Sequence, residues 1–482
     1  MKKNQIFKKS KTTTHILAFF VSIGFLFISC DQQLDINSSP NEPTEVPTTT
    51  LLSSAEVYLG YTIGGEATRM PANIVQHYAG HRGQPNEYAR YDITPSATDQ
   101  LWINIYDVLI DFRAVELESA KTNDKVFQGI SQILQAYTFS VATDIFGDIP
   151  YTESLSLSKN ITPLYDKQET IYPALITLIE SGIANVSSNQ GLNPGTSDVI
   201  YGGNVSKWIQ FGNSLKLRLL NHLSLRNTDA ALTFLQTNPS LITTSSDDAK
   251  VTFLATAANA NPIYQFDVLS GRTDNAVANT IVDKMKTLSD PRIPVYFYPV
   301  KNGSLAGQYF GNNPGGDDDD SGETRFSRTG SAYAKIDALV QLISAAEVHF
   351  IRAEVYFRAS NTIQATSAYN SAVTEDFASL GLSSSAASYL ATPLVAYNGT
   401  LARIMEQKWI TMFQGSYESW VDWRRTGLPV LTPSISNRTS NVIPRRLSYP
   451  QIEINVNTAS LNAGPGIPVP YVSLGTKVWW DL

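Results

Sequence analysis

The sequence predicts a mainly α fold of paired helices, carrying long irregular loops and a few short strands. Three observations predict it. Apolar residues recur at three- and four-residue steps over several stretches. One stretch places small residues and tyrosines at the spacing of a repeated helical hairpin. Gly, Pro, Asn, Ser and Tyr gather in long segments between those stretches.

The N-terminus stands apart from that fold. Lys2, Lys3, Lys8, Lys9 and Lys11 form a basic start without an acidic residue, and residues 16–28 follow as an apolar run broken only by Ser22 and Gly24. The run has the length of a secretory signal core and is shorter than the roughly 20 apolar residues a membrane-spanning helix needs. It ends at Phe27-Ile28-Ser29-Cys30, a small residue directly before the only cysteine of the chain. Bacterial lipoprotein signals end this way, so residues 1–29 read as a signal peptide and Cys30 as the lipidated first residue. A lone cysteine excludes a disulfide framework and a thiolate metal cluster. Residues 30–50 hold Pro40, Pro43 and Pro47 among polar residues and read as an extended tether. Residues 51–482 form one domain, since no internal linker interrupts them. The chain carries 36 basic and 43 acidic residues, and beyond the signal segment no Lys/Arg cluster of the kind that contacts phosphate backbones, which argues against a nucleic-acid partner.

Within the domain, Leu101, Ile105, Val108, Leu109, Phe112 and Val115 mark one buried helix face, and Ile130, Ile133, Leu134, Tyr137, Val141 and Ile145 mark the next. These two stretches predict an antiparallel pair. Asp166 followed by Glu169 has the spacing of a capping box opening a helix with Ile171, Leu175, Leu178 and Ile179. Residues 208–226 predict another long helix. Further on, Ala353, Tyr356, Ala365, Tyr369 and Ala372 sit where a tetratricopeptide repeat places its small and aromatic residues. One such repeat cannot bury its own face, so other helix pairs must stack on it.

Residues 79–94, 187–203, 254–274, 291–331 and 432–477 predict the loops, with Val295-Tyr296-Phe297-Tyr298 as a short strand. Binding residues commonly lie on loops held by a rigid scaffold. The expected ligand surface is therefore an exposed loop with Tyr78, His81, Arg82, Tyr88 and Tyr91, and a second group of Tyr296, Tyr298, Tyr309 and Phe310. His77 and His81 have the spacing of a helical metal pair but lack a third ligand, and Gly80 weakens a helix between them. Asp317, Asp319 and Ser321 with Gly322 match the first half of a calcium loop, while Arg328 occupies the position of its bidentate glutamate. An EF-hand is excluded, and Asp317, Asp319 and Asp320 remain candidates for a looser calcium site against the plainer reading of a solvated acidic tip. No other cofactor is expected. Neither a Gly-x-Ser-x-Gly elbow nor a phosphate-binding glycine motif occurs, and the domain has no cysteine nucleophile.

Several motifs resemble one known family together. Phe146-Gly147-Asp148-Ile149-Pro150-Tyr151, Ala346-Glu347-Val348-His349-Phe350-Ile351-Arg352-Ala353-Glu354, Glu418-Ser419-Trp420-Val421-Asp422-Trp423-Arg424-Arg425-Thr426-Gly427 and Pro444-Arg445-Arg446-Leu447-Ser448-Tyr449-Pro450 follow in the order seen in SusD/RagB-like nutrient-binding lipoproteins of Bacteroidota. The tether, with Leu34-Asp35-Ile36-Asn37 and Pro40-Asn41, is similar to that family's start. The resemblance implies a right-handed scaffold of four tetratricopeptide-like pairs. It also implies a lipid-anchored, surface-exposed outer-membrane protein that captures oligosaccharide or peptide for a SusC-like TonB-dependent transporter. The motifs themselves read as structural: Gly147 stops a helix, and Arg424 and Arg425 pair with Glu418 or Asp422 among core tryptophans. A surface glycan hydrolase and a scaffold protein without a small ligand are the competing readings.

Overall fold

The computed structural model describes residues 46–156 and 160–482; the basic start, the apolar run, Cys30 and most of the tether lie outside the described residues. The principal helices are α1 (Thr48–Gly64), α2 (Glu66–Ile74), α3 (Asp99–Thr122), α4 (Lys125–Phe146), α5 (Gln168–Ser188), α6 (Val205–His222), α7 (Ala345–Arg358), α8 (Thr362–Ser379), α9 (Leu401–Thr411) and α10 (Ser416–Thr426). Residues 48–482 pack as one compact unit. The helix α1 begins at Thr48, so the last three residues expected in the tether are already helical.

Periodicity located the scaffold. Leu101, Ile105, Val108, Leu109, Phe112 and Val115 are all buried on α3, and the six matching positions of α4 are buried with them. The expected pair α3–α4 forms, and α4 packs in turn on α5 and α5 on α6. The approach of α4 to α5 is close because Gly129 faces Gly182: a Cβ on Gly129 would lie 2.5 Å from the Gly182 carbonyl oxygen. The hairpin α7–α8 forms around the repeat motif and extends beyond it at both ends, with Ala353, Ala365, Tyr369 and Ala372 fully buried at its crossing.

The helix stop forms as the sequence predicts. Gly147 takes φ +89°, which favours glycine, and its N–H closes α4 onto the Thr143 carbonyl at 2.8 Å. Asp148 then does what the capping-box reading assigned to Asp166. Its Oδ1 accepts from the Gln168 N–H at 2.8 Å and caps α5. The Asp166 carboxylate instead accepts from the N–H groups of Tyr151 (3.0 Å) and Thr152 (2.8 Å), closing the loop between the helices.

Strands are few and short. β1 (Ala249–Val251) pairs antiparallel with β4 (Val340–Ile343), and β2 (Phe297–Tyr298) with β3 (Arg328–Thr329). The four-residue strand expected at 295–298 is halved, because Ile293–Tyr296 forms a helical turn that sends Tyr296 into the core. The expected loops also contain helical turns, among them Gly83–Ala89, Gln451–Val456 and Thr458–Ala463.

Candidate functional site

The antiparallel pair β2–β3 sets out Tyr298, the exposed aromatic of the predicted groups that lines the cleft beside it. Side chains alternate across a strand, so Phe297 points into the core (0% exposed) and Tyr298 points out (45% exposed). Tyr298 enters a cleft of about 480 Å³, within the range of small-ligand sites. Val268, Val300 and Phe326 supply apolar wall, and Arg272, Asn275 and Arg328 supply polar edges. Val268 belongs to a single π-helical turn, Gln265–Leu269, that leaves Val268 and Leu269 nearly half exposed. Such wide turns are frequent at functional sites.

The wall that carries Phe326 is organised by Asp320. Its carboxylate accepts from the backbone N–H groups of Thr324 (2.7 Å), Arg325 (2.9 Å) and Phe326 (3.0 Å), and Arg328 meets it at 2.9 Å. Burial alone would raise the Asp320 pKa; these donors outweigh it and hold the carboxyl below its ordinary value. His81 ties this wall to the opposite one. Its Nε2 bonds the Thr273 carbonyl at 2.5 Å while Nδ1 accepts from the Asp320 N–H at 3.1 Å, an arrangement that requires neutral imidazole. Burial lowers its pKa accordingly. Arg82 reinforces the same junction, with Nε 2.8 Å from Asp274. Asp267 lines the cleft beside Arg69 and Asn275, its carboxyl pushed up to about 6 by burial against those two favourable neighbours.

The sequence-predicted tyrosines divide sharply. Tyr78, Tyr88, Tyr91 and Tyr296 are at most 2% exposed, which corrects the expectation of an exposed loop around 78–91. Tyr88 points its hydroxyl at Glu66 and Tyr91 receives the Ser434 N–H at 3.2 Å. Tyr296 stacks on Phe413 with ring centroids 5.5 Å apart. The reason is long-range: residues 79–81 run beneath the segments 274–278 and 312–320, through Ala79 N–H to Ala276, His81 N–H to Asp274 and the Asn312 amide to Ala79. His81 is also buried, so with Arg82 it positions the cleft rather than facing it. Tyr309 is half-buried and Phe310 is 36% exposed beneath the Lys286 ammonium, 4.4 Å away; neither lines the cleft. Phe326, Val268 and Arg272 carried no sequence signal. Tyr298 alone of the cleft residues stood among the predicted ligand residues, as an aromatic in a long glycine-rich segment.

The acidic run is partnered throughout. Asp317 pairs with Arg90, Asp318 with Arg325 at 3.1 Å, Asp319 with Arg82 at 3.7 Å, and Asp320 with Arg328. Asp320 presents its oxygens to N–H donors instead of converging with Asp317 and Asp319. His77, fully buried, bonds Ser416 and the Trp409 carbonyl and forms no pair with His81.

A family sequence profile described as "Starch-binding associating with outer membrane" matches residues 40–450, most of the chain. The chain belongs to the SusD-like family. Solved SusD-like structures share its fold. A chitin-binding SusD homologue from Flavobacterium johnsoniae is 23% identical, with a TM-score of 0.77 over 90% of this chain and 97% of that one. A SusD/RagB family protein from Bacteroides thetaiotaomicron is 20% identical, with a TM-score of 0.77 over 91% and 99%. A SusD homologue from Bacteroides uniformis is 25% identical, with a TM-score of 0.74 over 90% and 99%. No curated protein matches the chain. The family is outer-membrane associated, and no described helix is long and apolar enough to cross a membrane.

In this SusD-like chain the signature residues build the interior. Arg425 reaches Glu354 (2.8 Å) and Asp422 (2.6 Å), the latter as expected. Arg424 instead lies between the rings of Trp420 and Trp480, and its Nη1 donates to the Asp144 and Arg445 carbonyls. Glu418 turns to His222 (3.0 Å) and Arg218 (3.6 Å), and Arg218 forms a bidentate pair with Glu347, both bonds 2.6 Å. Asp144, His222 and Glu418 converge within 4.8 Å, the one His–carboxylate triad of the described residues. All three are at most 2% exposed, beyond the reach of any substrate. Arg218 and the imidazolium already supply the positive charge there.

Proposed function

We propose that this protein captures an oligosaccharide in the Tyr298 cleft at the cell surface and passes it, uncleaved, to a SusC-like TonB-dependent transporter. The observation that carries the reading is the cleft: an exposed tyrosine over an aliphatic wall, edged by the directed donors of Arg272, Asn275 and Arg328. An apolar surface with a few placed polar groups is how small-ligand sites hold and orient their occupants. The chitin-binding role of one structural relative favours a glycan over a peptide as the occupant. Of the cleft acids, Glu323 is paired with Lys301 at 2.6 Å and Asp267 stands against Arg69, an arrangement suited to binding rather than bond cleavage. Attachment to the outer membrane through lipidated Cys30 completes the reading, since several acyl chains anchor a protein stably where one does not.

Purification from solubilised outer membranes tests the partner and the anchor together. A barrel transporter should co-purify with the wild-type chain, and the Cys30→Ala chain should accumulate unprocessed or leave the membrane. A wild-type chain that purifies without any barrel overturns delivery; normal membrane retention of Cys30→Ala overturns lipidation.

A further inference from the structure

A second cavity, of about 310 Å³, shares no residue with the Tyr298 cleft. It opens where the Gly147 stop, the start of α5 and the C-terminal segment meet. Asp148, Lys167, Glu169, Arg446, Lys477 and Trp479 line it. Three cations and two carboxylates therefore surround one small space. Among the described residues, none of the five forms an ion pair within 4 Å, although all four acids of the run at 317–320 and the buried Glu347, Glu354 and Glu418 do.

Two of these groups differ in their hydrogen bonding. Asp148 already has its Oδ1 engaged, capping Gln168. Arg446 does not: its Nη2 is buried and has no hydrogen-bond partner, its Nε makes only a long 3.4 Å contact with the Leu447 carbonyl, and its guanidinium rests 4.4 Å over the Tyr449 ring. A buried donor without an acceptor costs the fold free energy, and a guanidinium fork matches the planar or tetrahedral oxygens of a carboxylate or sulfate. Lys167, Glu169 and Lys477 are exposed on the rim and free to close over an occupant. Trp479 stands half-buried beside them, with the Arg226 guanidinium 5.0 Å from its ring.

The geometry points to a second ligand site, selective for an acidic sugar unit. Its carboxylate or sulfate ester would be held by Arg446 with Lys167 and Lys477 closing over it, and its ring would lie against Trp479. The three cations exceed the two carboxylates by one charge, which balances a monoanion. The cavity is at the small end of ligand pockets, sized for one unit and not a chain. This site does not depend on what the Tyr298 cleft binds, and a Tyr298→Ala chain leaves it intact.

Titration calorimetry of the full chain at low ionic strength, with glucuronate, glucose and sodium sulfate as probes, tests it. Saturable glucuronate binding is expected, with glucose and free sulfate at least about tenfold weaker. Arg446→Gln should weaken glucuronate by about tenfold or more. Because Arg446 packs on Tyr449 and that variant could lose its fold, a Lys167→Gln/Lys477→Gln chain, altered only on the exposed rim, provides the independent arm and should also weaken binding. Glu169→Gln should tighten it, a change of sign that a merely structural role would not produce. Absence of saturable glucuronate binding, glucose binding equally well, or binding indifferent to the rim substitutions overturns the site. Sulfate binding as tightly as glucuronate reduces it to an adventitious ion only.

Discussion

His222 holds its Nε2 3.0 Å from Glu418 while its Nδ1 lies 3.3 Å from Asp144, so a single imidazole joins α6 to α10 and to the end of α4. Burial alone would drive its pKa down. The two carboxylates outweigh burial and raise it from 6.5 to about 9. A histidine with a raised folded pKa contributes stability that is complete below its unfolded pKa and is lost as pH rises through the folded one. The contribution is on the order of 3 kcal/mol, and it should disappear between about pH 6.5 and 9. Urea unfolding of the wild type and of His222→Asn across pH 6 to 10 checks this. The variant should be less stable at pH 6 and lack that alkaline decline. An identical pH slope in both chains contradicts the pairing.

Glu56 on α1 behaves in the opposite sense to an ordinary carboxylate. It is fully buried, its Oε2 accepts from the Val199 N–H at 2.7 Å, and Asp198 is its neighbour. Asp198 is saturated by donors, including Gly203 N–H at 2.8 Å and Trp208 Nε1 at 2.6 Å. Burial, then the Asp198 charge, raise the Glu56 pKa well above its usual value. The fold therefore favours the protonated acid, and stability falls as pH rises from the unfolded pKa through the folded one. Glu56→Gln keeps the shape without the titration. Its melting temperature relative to wild type should climb steadily from pH 5 to 8, and a pH-independent difference contradicts the raised pKa.

The acidic run should behave as a structural clasp. Each of its four carboxylates faces a cation, which a calcium ion would have to displace. The melting temperature should stay unchanged between chelator and millimolar calcium, since an ion bound only to the folded state would raise it. Asp320→Ala should cost about 1–3 kcal/mol by leaving the buried Phe326 N–H and the Arg328 guanidinium without their acceptor. It should also weaken ligand binding without touching the ligand, because the turn carrying Phe326 loses its centre. A calcium-dependent rise in melting temperature restores Asp317 and Asp319 as ligands.

Tyrosines of similar sequence context should separate by burial. Tyr91→Ala removes a fully buried ring and should cost roughly 3–5 kcal/mol. Tyr298→Ala removes an exposed one and should change stability by no more than about 0.5 kcal/mol. Equal costs measured by chemical denaturation would contradict the assigned burial.

That separation marks where the sequence was legible. The faces of α3 and α4 could be read from residues three and four apart, and the end of α4 from Gly147, because those signals are local. The hairpin α7–α8 followed from small residues at 353 and 365. Burial of Tyr88 and Tyr91 was not legible: their polar, glycine-containing surroundings suggest a surface loop, while the segments that cover them lie more than 180 residues away. The cleft is equally non-local, assembled from 267–275, 298–307 and 323–334, and Tyr298 is the one predicted ligand residue among those lining it. The capping role of Asp148 was missed because a cap supplied from 20 positions earlier leaves no fixed spacing to find.

The most direct measurement is calorimetric titration of the wild-type and Tyr298→Ala chains with chito-, malto- and other oligosaccharides and with peptides, followed by chromatography of the recovered ligand. Capture in the Tyr298 cleft predicts saturable binding of an oligosaccharide, recovery of that ligand at its original length, and weakening of about tenfold in Tyr298→Ala with melting temperature nearly unchanged. Binding unaffected by Tyr298→Ala, or recovery of shortened products, contradicts it.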